Sequence, residues 1–296
     1  ANGATGKKFA ELLPRLEREF GSFSYKYTEK PMHAPEITRI AIEQGFKLIV
    51  SCGGDGTNNE VLQGFVDERG TIPGDVVMGF LPSGTGGDFK RVLGLTGDTE
   101  QAMNALKNGI VAEMDIGRAD FADGSGNMRR RYFLNILSFG ISGLVDHYVN
   151  NSTKIFGGKA SFFIGSLRGM LNYRNRRVRL RIDNGEETAE KVNLVAVANG
   201  RFFGGSMMVA PEAEINDGLF DIIKFGDLTK MEFISLSSDI YKGNHLKRDK
   251  ITMRRGSRLS AFPLEGDVLI DLDGEQAGKL PVECAVHESR LRIRRL

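Results

Sequence analysis

The apolar positions of the first third of the chain fall into alternating helical and extended patterns. Phe9, Leu12, Leu13, Leu16 and Phe20 share one stripe at spacings of three and four, which predicts a helix over residues 9–20. Residues 22–28 alternate apolar and polar side chains and read as a strand. Residues 35–44 read as a helix, with Pro35 in its first turn and Gly45 at its end. A short apolar strand over 46–52 follows, then a helix over 58–67, a strand over 76–81, a helix from Asp88 and another over 98–107. Strands separated by helices predict a doubly wound α/β domain, with a parallel sheet covered on both faces.

Beyond about residue 112 the period changes. Residues 113–119, 131–139, 178–183, 192–199, 220–225, 258–262, 268–272 and 282–293 read as strands. The turn pairs Asp123-Gly124, Asn184-Gly185, Asp217-Gly218 and Asp273-Gly274 separate them. Helical patches interrupt at 145–171 and 229–241. The pattern predicts an α/β domain over 1–118 and a mainly β domain over 119–287, antiparallel and sandwich-like. It leaves open whether a final strand near 288–296 returns to the first domain.

Composition adds bounds. Hydrophobic content of 41% and charged content of 26% are ordinary for a globular chain. With no run of 18 apolar residues, no transmembrane helix is expected. The first residues do not read as a signal peptide. Cys52 and Cys284 give no disulfide framework, so a reducing cytoplasm is expected, with Cys52 packing inside an apolar run. The net charge of +2 hides an asymmetry: acids exceed bases over residues 1–118, and bases exceed acids beyond. Arg168, Arg174, Arg176, Arg177, Arg179 and Arg181 form one basic stretch; Lys242, Lys247, Arg248, Lys250, Arg254, Arg255 and Arg258 form another. Such stretches serve either as a solvated face or as an attraction to an anionic membrane, where each base contributes about 1 kcal/mol. No aromatic-interleaved or zinc-type module accompanies the charge, so nucleic acid is not expected as a partner.

The candidate chemistry lies where the strand over 46–52 breaks into Gly53-Gly54-Asp55-Gly56-Thr57-Asn58-Asn59. A strand that turns through glycines into a helix brings bare backbone N–H groups to the helix start, where a phosphate can sit. The Walker A pattern occurs nowhere in the chain. A second glycine loop, Pro82-Ser83-Gly84-Thr85-Gly86-Gly87-Asp88-Phe89, follows the next strand. Ligands of parallel α/β sheets bind beyond the strand C-termini, where both loops fall. His33, His147, His245 and His287 show no metal-ligand spacing.

The Gly-Gly-Asp-Gly-Thr loop resembles the nucleotide-binding loop of the diacylglycerol kinase catalytic domain family. Sphingosine kinases and NAD kinases carry related loops. The second loop resembles the family's P-x-GT-x-ND-F-A-R segment, with Gly87 in place of its Asn and Lys90 in place of its Ala. Further similarities run along the chain: Asp115-Ile116-Gly117, Phe133-Leu134-Asn135, Asn199-Gly200 with Gly204-Gly205 and Ala210-Pro211, Asp217-Gly218-Leu219-Phe220-Asp221, and Asp273-Gly274-Glu275. The family's opening Asn-Pro is absent.

The resemblance implies an ATP-dependent, Mg²⁺-requiring kinase that phosphorylates the hydroxyl of diacylglycerol or a related lipid alcohol at an anionic membrane surface. The protein would then be cytoplasmic and peripherally bound, and a homodimer is left open. Asp273 would be the general base, with Glu275 nearby. Thr28, Gly53, Gly54, Asp55, Gly56, Thr57, Asn58, Asn59 and Thr85 would meet the nucleotide. Asp55, Asp88 and Asp115 would form an acidic network at the phosphates. Glu214, Asp217 and the Leu219 carbonyl match a structural Mg²⁺ site of bacterial members. Asn199 and Gly204 would shape the second domain. An NAD kinase-like soluble acceptor and a non-catalytic lipid-binding relative are the competing readings.

Overall fold

The computed structural model describes residues 4–83, 87–95, 99–145 and 172–296. The chain divides into two compact units, Ala1–Met114 with Ser289–Leu296, and Asp115–Glu288.

In the first unit, helices α1 (Ala4–Phe20) and α2 (Ala34–Glu43) precede strand β1 (Leu48–Gly53), helix α3 (Asp55–Phe65) and strand β2 (Val77–Pro82). The short helix α4 (Phe89–Val92), helix α5 (Thr99–Asn108) and strand β3 (Ile110–Met114) follow. The last strand of the chain, Leu291–Arg295, completes this sheet. It pairs parallel to β2 and antiparallel to β3, so the four strands form a mixed, mostly parallel sheet. Leu291 and Ile293 of that strand are fully buried.

Two expectations are corrected here. Residues 22–28 form no strand; their rings pack on α1 instead, with Tyr25 and Tyr27 edge-on to Phe9 at 5.4 and 6.0 Å. Helix α3 begins three residues earlier than its apolar period suggests. Gly54 takes an extended conformation as its N-cap, and the Asn58 N–H donates to the Gly54 carbonyl at 3.0 Å, closing the first turn.

The second unit is one antiparallel sheet curled on itself. Its strands are β4 (Gly117–Ala122), β5 (Met128–Phe133), β6 (Ile136–Gly140), β7 (Arg176–Ile182), β8 (Thr188–Val192), β9 (Leu194–Ala198), β10 (Phe220–Phe225), β11 (Ile251–Gly256), β12 (Arg258–Pro263), β13 (Leu269–Leu272) and β14 (Glu275–Val286). They run in the order β11-β10-β9-β6-β13-β14-β12-β7-β8, with β4 on β14 and β5 on β4. The 12-residue β14 pairs with β13, β12 and β4 in turn and bends through irregularities in its register. Helix α6 (Lys230–Tyr241) starts with a capping box, in which Thr229 and Glu232 each bond the other's backbone N–H.

Side-chain alternation builds a core on each face of this sheet. Along β9, Val195 and Val197 join Phe121, Phe133, Phe139 and Phe220, while Leu194, Ala196 and Ala198 join Phe225, Leu236 and Ile240. A strand buried on both faces must be apolar throughout, which is why β9 reads as a continuous hydrophobic run.

Three further expectations are revised. The strand expected over 113–119 is two, β3 and β4, which enter different sheets. The strand expected over 131–139 is likewise two, β5 and β6, broken at Leu134-Asn135. The strand expected over 282–293 is also two. β14 ends at Val286, and the strand Leu291–Arg295, labelled β15, follows a polar break, His287-Glu288-Ser289-Arg290. Strand β11 was not anticipated, because its charged residues dominate the local pattern. The helical patch expected over 145–171 lies outside the described residues beyond Val145.

Candidate functional site

The first unit carries the glycine turn. β1 ends at Gly53, Gly54 caps α3, and Asp55 opens the helix. A Cβ at Gly53 would come within 2.5 Å of the Thr57 Oγ1, so Thr57 can fold back over this position only because it is glycine. Among the described residues nothing lies within 4 Å of where a Cβ on Gly54 would stand, so the backbone there leaves room for a ligand. The two glycine loops touch: the Ser83 N–H donates to the Gly53 carbonyl at 3.1 Å, and the Asp88 N–H donates to Asp55 Oδ2 at 2.8 Å. Gly53, Gly54, Asp55, Asn58, Gly87 and Lys90 line a small hollow.

The structure thus brings together Gly53, Gly54, Asp55, Asn58 and Asp88, with Thr57 packed on Gly53. Asn58 borders the hollow, but its amide oxygen accepts from Ser51 Oγ at 2.7 Å. Asn59 is fully buried, and its amide oxygen accepts from Gln63, so its side chain serves the helix. Thr28 lies in the exposed irregular stretch after α1. Thr85 lies outside the described residues. Asp55 and Asp88 supply carboxylate oxygens, the donor type a hard Mg²⁺ takes, so this set fits a metal–nucleotide. Cys52, just before the turn, has its thiol pushed up to about 11 by burial. It is a packed thiol and not a nucleophile at neutral pH.

The second unit gathers the remaining motifs around one buried hydrogen-bond hub. Asp273 sits in a left-handed turn conformation, with φ of 52°. Its Oδ2 accepts from the Leu134 N–H at 2.8 Å, and its Oδ1 accepts from the Asn135 and Ile136 N–H groups at 2.9 and 3.1 Å. Leu134 and Asn135 lie between β5 and β6, and the Asp273 carboxylate takes their amides together with that of Ile136. Asn199, fully buried, donates its amide to the carbonyls of Asp115 and Leu134 at 2.7 and 2.8 Å. Asp115, also buried, accepts from the Gly218 N–H at 2.6 Å. Asp115, Asn135, Asn199, Gly218 and Asp273 therefore form one connected network, and the structural role expected for Asn199 is what its contacts describe. Glu275 is half exposed and lies 3.4 Å from Arg131.

Sequence reasoning gave no site role to three participants. Asp271, buried, accepts from Ser138 Oγ at 3.0 Å and from the Gly274 N–H at 2.8 Å, one strand position pair before Asp273. Asp271 lies in β13 and Asp273 in the turn that follows it, and the available signal was a second aspartate two residues before the Asp273-Gly274 turn. The others are Arg255 and Asp221. Arg255 donates to Asp221 Oδ1 at 2.9 Å and to the Glu212 carbonyl at 2.9 Å, and lies 3.7 Å from Asp217 Oδ2. Burial pushes the Asp221 carboxyl above the usual carboxylate range, with Arg255 opposing that shift.

This arrangement does not fit the Mg²⁺ site expected from Glu214, Asp217 and Leu219. Asp217 Oδ1 accepts from the Leu219 N–H at 3.0 Å, and its other oxygen faces a guanidinium. Glu214 is exposed. A positive side chain already stands where a second cation would be repelled. Among the described residues no group of three or more His, Cys, Asp and Glu side chains is placed to hold a metal ion.

A βαβ-type unit with a glycine phosphate cradle, followed by an antiparallel unit holding buried acidic turns, defines a phosphotransferase class. The diacylglycerol kinase catalytic domain family matches residues 1–119, and the YegS C-terminal NAD kinase beta sandwich-like domain matches residues 135–295. The chain is 28% identical over 280 residues to a diacylglycerol kinase of Bacillus subtilis, spanning 94% of this chain and 87% of that one. It is 26% identical over 285 residues to a diacylglycerol kinase of Staphylococcus carnosus, spanning 95% and 88%. A crystal structure of a diacylglycerol kinase from Bacillus anthracis superposes with a TM-score of 0.68 at 17% identity, covering 98% of this chain and 91% of that one. The chain belongs to the diacylglycerol kinase family and is a kinase of that family.

Proposed function

We propose that this kinase transfers the γ-phosphate of ATP to the hydroxyl of diacylglycerol or a related lipid alcohol presented at an anionic membrane surface. The observation that carries the reading is the Gly53-Gly54 turn into α3 with the Asp55–Asp88 contact beside it, in a chain of this family. Backbone N–H groups at the turn hold phosphoryl oxygens, and the open Gly54 lets them approach. Asp55 and Asp88 would hold Mg²⁺, whose chemistry is to offset charge on the phosphates. Asp273 takes the proton of the acceptor hydroxyl, with three amides fixing its orientation and Glu275 nearby. Arg174, Arg176, Arg177, Arg179 and Arg181 supply the attraction to anionic lipid.

The test is transfer of labelled phosphate from ATP to a panel of lipid alcohols in mixed micelles and in anionic vesicles, with NAD as a soluble control. A labelled lipid is expected. Labelled NADP would replace the lipid reading with a soluble acceptor. ATP binding without any product would favour a non-catalytic relative.

A further inference from the structure

The chain departs from its family's second loop at two positions, Gly87 for Asn and Lys90 for Ala, and the structure joins them. The Lys90 stem lies across Gly87: a Cβ at residue 87 would come 3.2, 3.5 and 3.6 Å from the Lys90 Cδ, Cε and Cγ. A side chain at 87 would press on the lysine stem, which would have to give by a few tenths of an ångström. Gly87 also has a φ of 128°, in the region that favours glycine. The two changed positions therefore touch. No amide side chain stands at 87, and the stem of a cationic side chain crosses that place from 90.

That place is the wall of the hollow formed by Gly53, Gly54, Asp55 and Asn58. Lys90 is half-buried and makes no ion pair among the described residues, although Asp55 and Asp88 belong to the same two loops. A lysine placed this way carries a compact charge on a flexible stem, which suits a phosphate and needs no fixed fork geometry.

We infer that Lys90 is a phosphate-contacting residue of the nucleotide site, its ammonium binding the β- or γ-phosphoryl oxygens of ATP from the second loop. The inference rests on the reading of the cradle as an ATP site. It assigns to this chain a cationic contact in place of an amide.

The experiment titrates the full chain and its Lys90→Met variant with ATP and with AMP, in the presence of Mg²⁺, alongside a thermal melt. Methionine keeps the stem that packs on Gly87 and removes the charge. We expect ATP affinity to fall about ten- to hundredfold, the loss of one charge-assisted contact. AMP affinity and the melting midpoint should be unchanged, and Lys90→Arg should retain most of the ATP affinity. Should the methionine variant lose stability, Lys90→Gln poses the same question with a polar stem. Unchanged ATP affinity overturns the inference, as does a parallel loss for ATP and AMP, which would make Lys90 a loop support. If such a variant still phosphorylates lipid normally, only this inference fails. If the wild-type chain binds no ATP, the nucleotide reading of the cradle fails, and this inference with it.

Discussion

Asp273 combines two tasks whose requirements differ. As the proposed base it must present an oxygen to a hydroxyl; as a turn residue it holds the amides of Leu134, Asn135 and Ile136. Asp273→Asn separates the tasks only in part, because one amide NH₂ must then face a backbone N–H. That mismatch costs about 1–3 kcal/mol. The expected outcome is a lowered melting midpoint together with loss of lipid phosphorylation, while ATP affinity, which depends on the cradle of the first unit, is retained. Turnover that persists in the folded variant would remove Asp273 as the base. At this scale the sequence was legible where a residue acts on its neighbours. The Asp273-Gly274 pair announced a turn, and Gly53-Gly54 announced an open cradle. It was not legible where partners are remote: the donors to Asp273 come from 137 to 139 residues earlier in the chain.

At the scale of elements, periodicity found most helices and strands, and it failed where a strand had to end for tertiary reasons. The strand-like stretch over 131–139 breaks at Leu134-Asn135, where the Asp273 carboxylate, in the turn between β13 and β14, takes the backbone amides. Strand β11 went unread because Thr252, Arg254 and Arg255 gave it the look of a charged loop. Its Arg255 reaches the loop between β9 and β10 and occupies the surroundings of the expected metal site. We therefore expect the melting midpoint of the wild-type chain to be unmoved by EDTA or by added Mg²⁺ in the absence of nucleotide. Arg255→Ala leaves Asp221 buried without its cation, at a cost of about 1–3 kcal/mol, so its midpoint should fall by several degrees. A wild-type midpoint that drops on chelation would restore a divalent ion to this loop.

For the whole molecule, stability against pH is set partly by a residue that composition did not single out. His245 is fully buried against the Phe225 ring, and its Nε2–H donates to the Val209 carbonyl at 2.9 Å. Burial lowers its pKa. The unfolded chain therefore binds a proton below about pH 6.5 that the folded chain resists. The sign follows: the contribution is intact above that pH, and stability falls as pH drops below it, by at most about 1.4 kcal/mol per unit. Thermal midpoints measured between pH 7.5 and 5 should decline, and His245→Gln should flatten the decline. An equally steep profile in that variant would assign the effect to other groups.

The sequence by itself determined the α/β and β classes, the glycine turns and the family motifs. These rest on side-chain period and on residues that control their own backbone, and both are local properties. Only the tertiary structure decided that β15 returns to the first sheet, that five motifs of the second unit share one hydrogen-bond hub, and that Lys90 lies across Gly87. Each of these depends on which distant groups can satisfy a buried amide, fill a missing side chain or pair a sheet edge. No window of sequence contains both partners of such a contact.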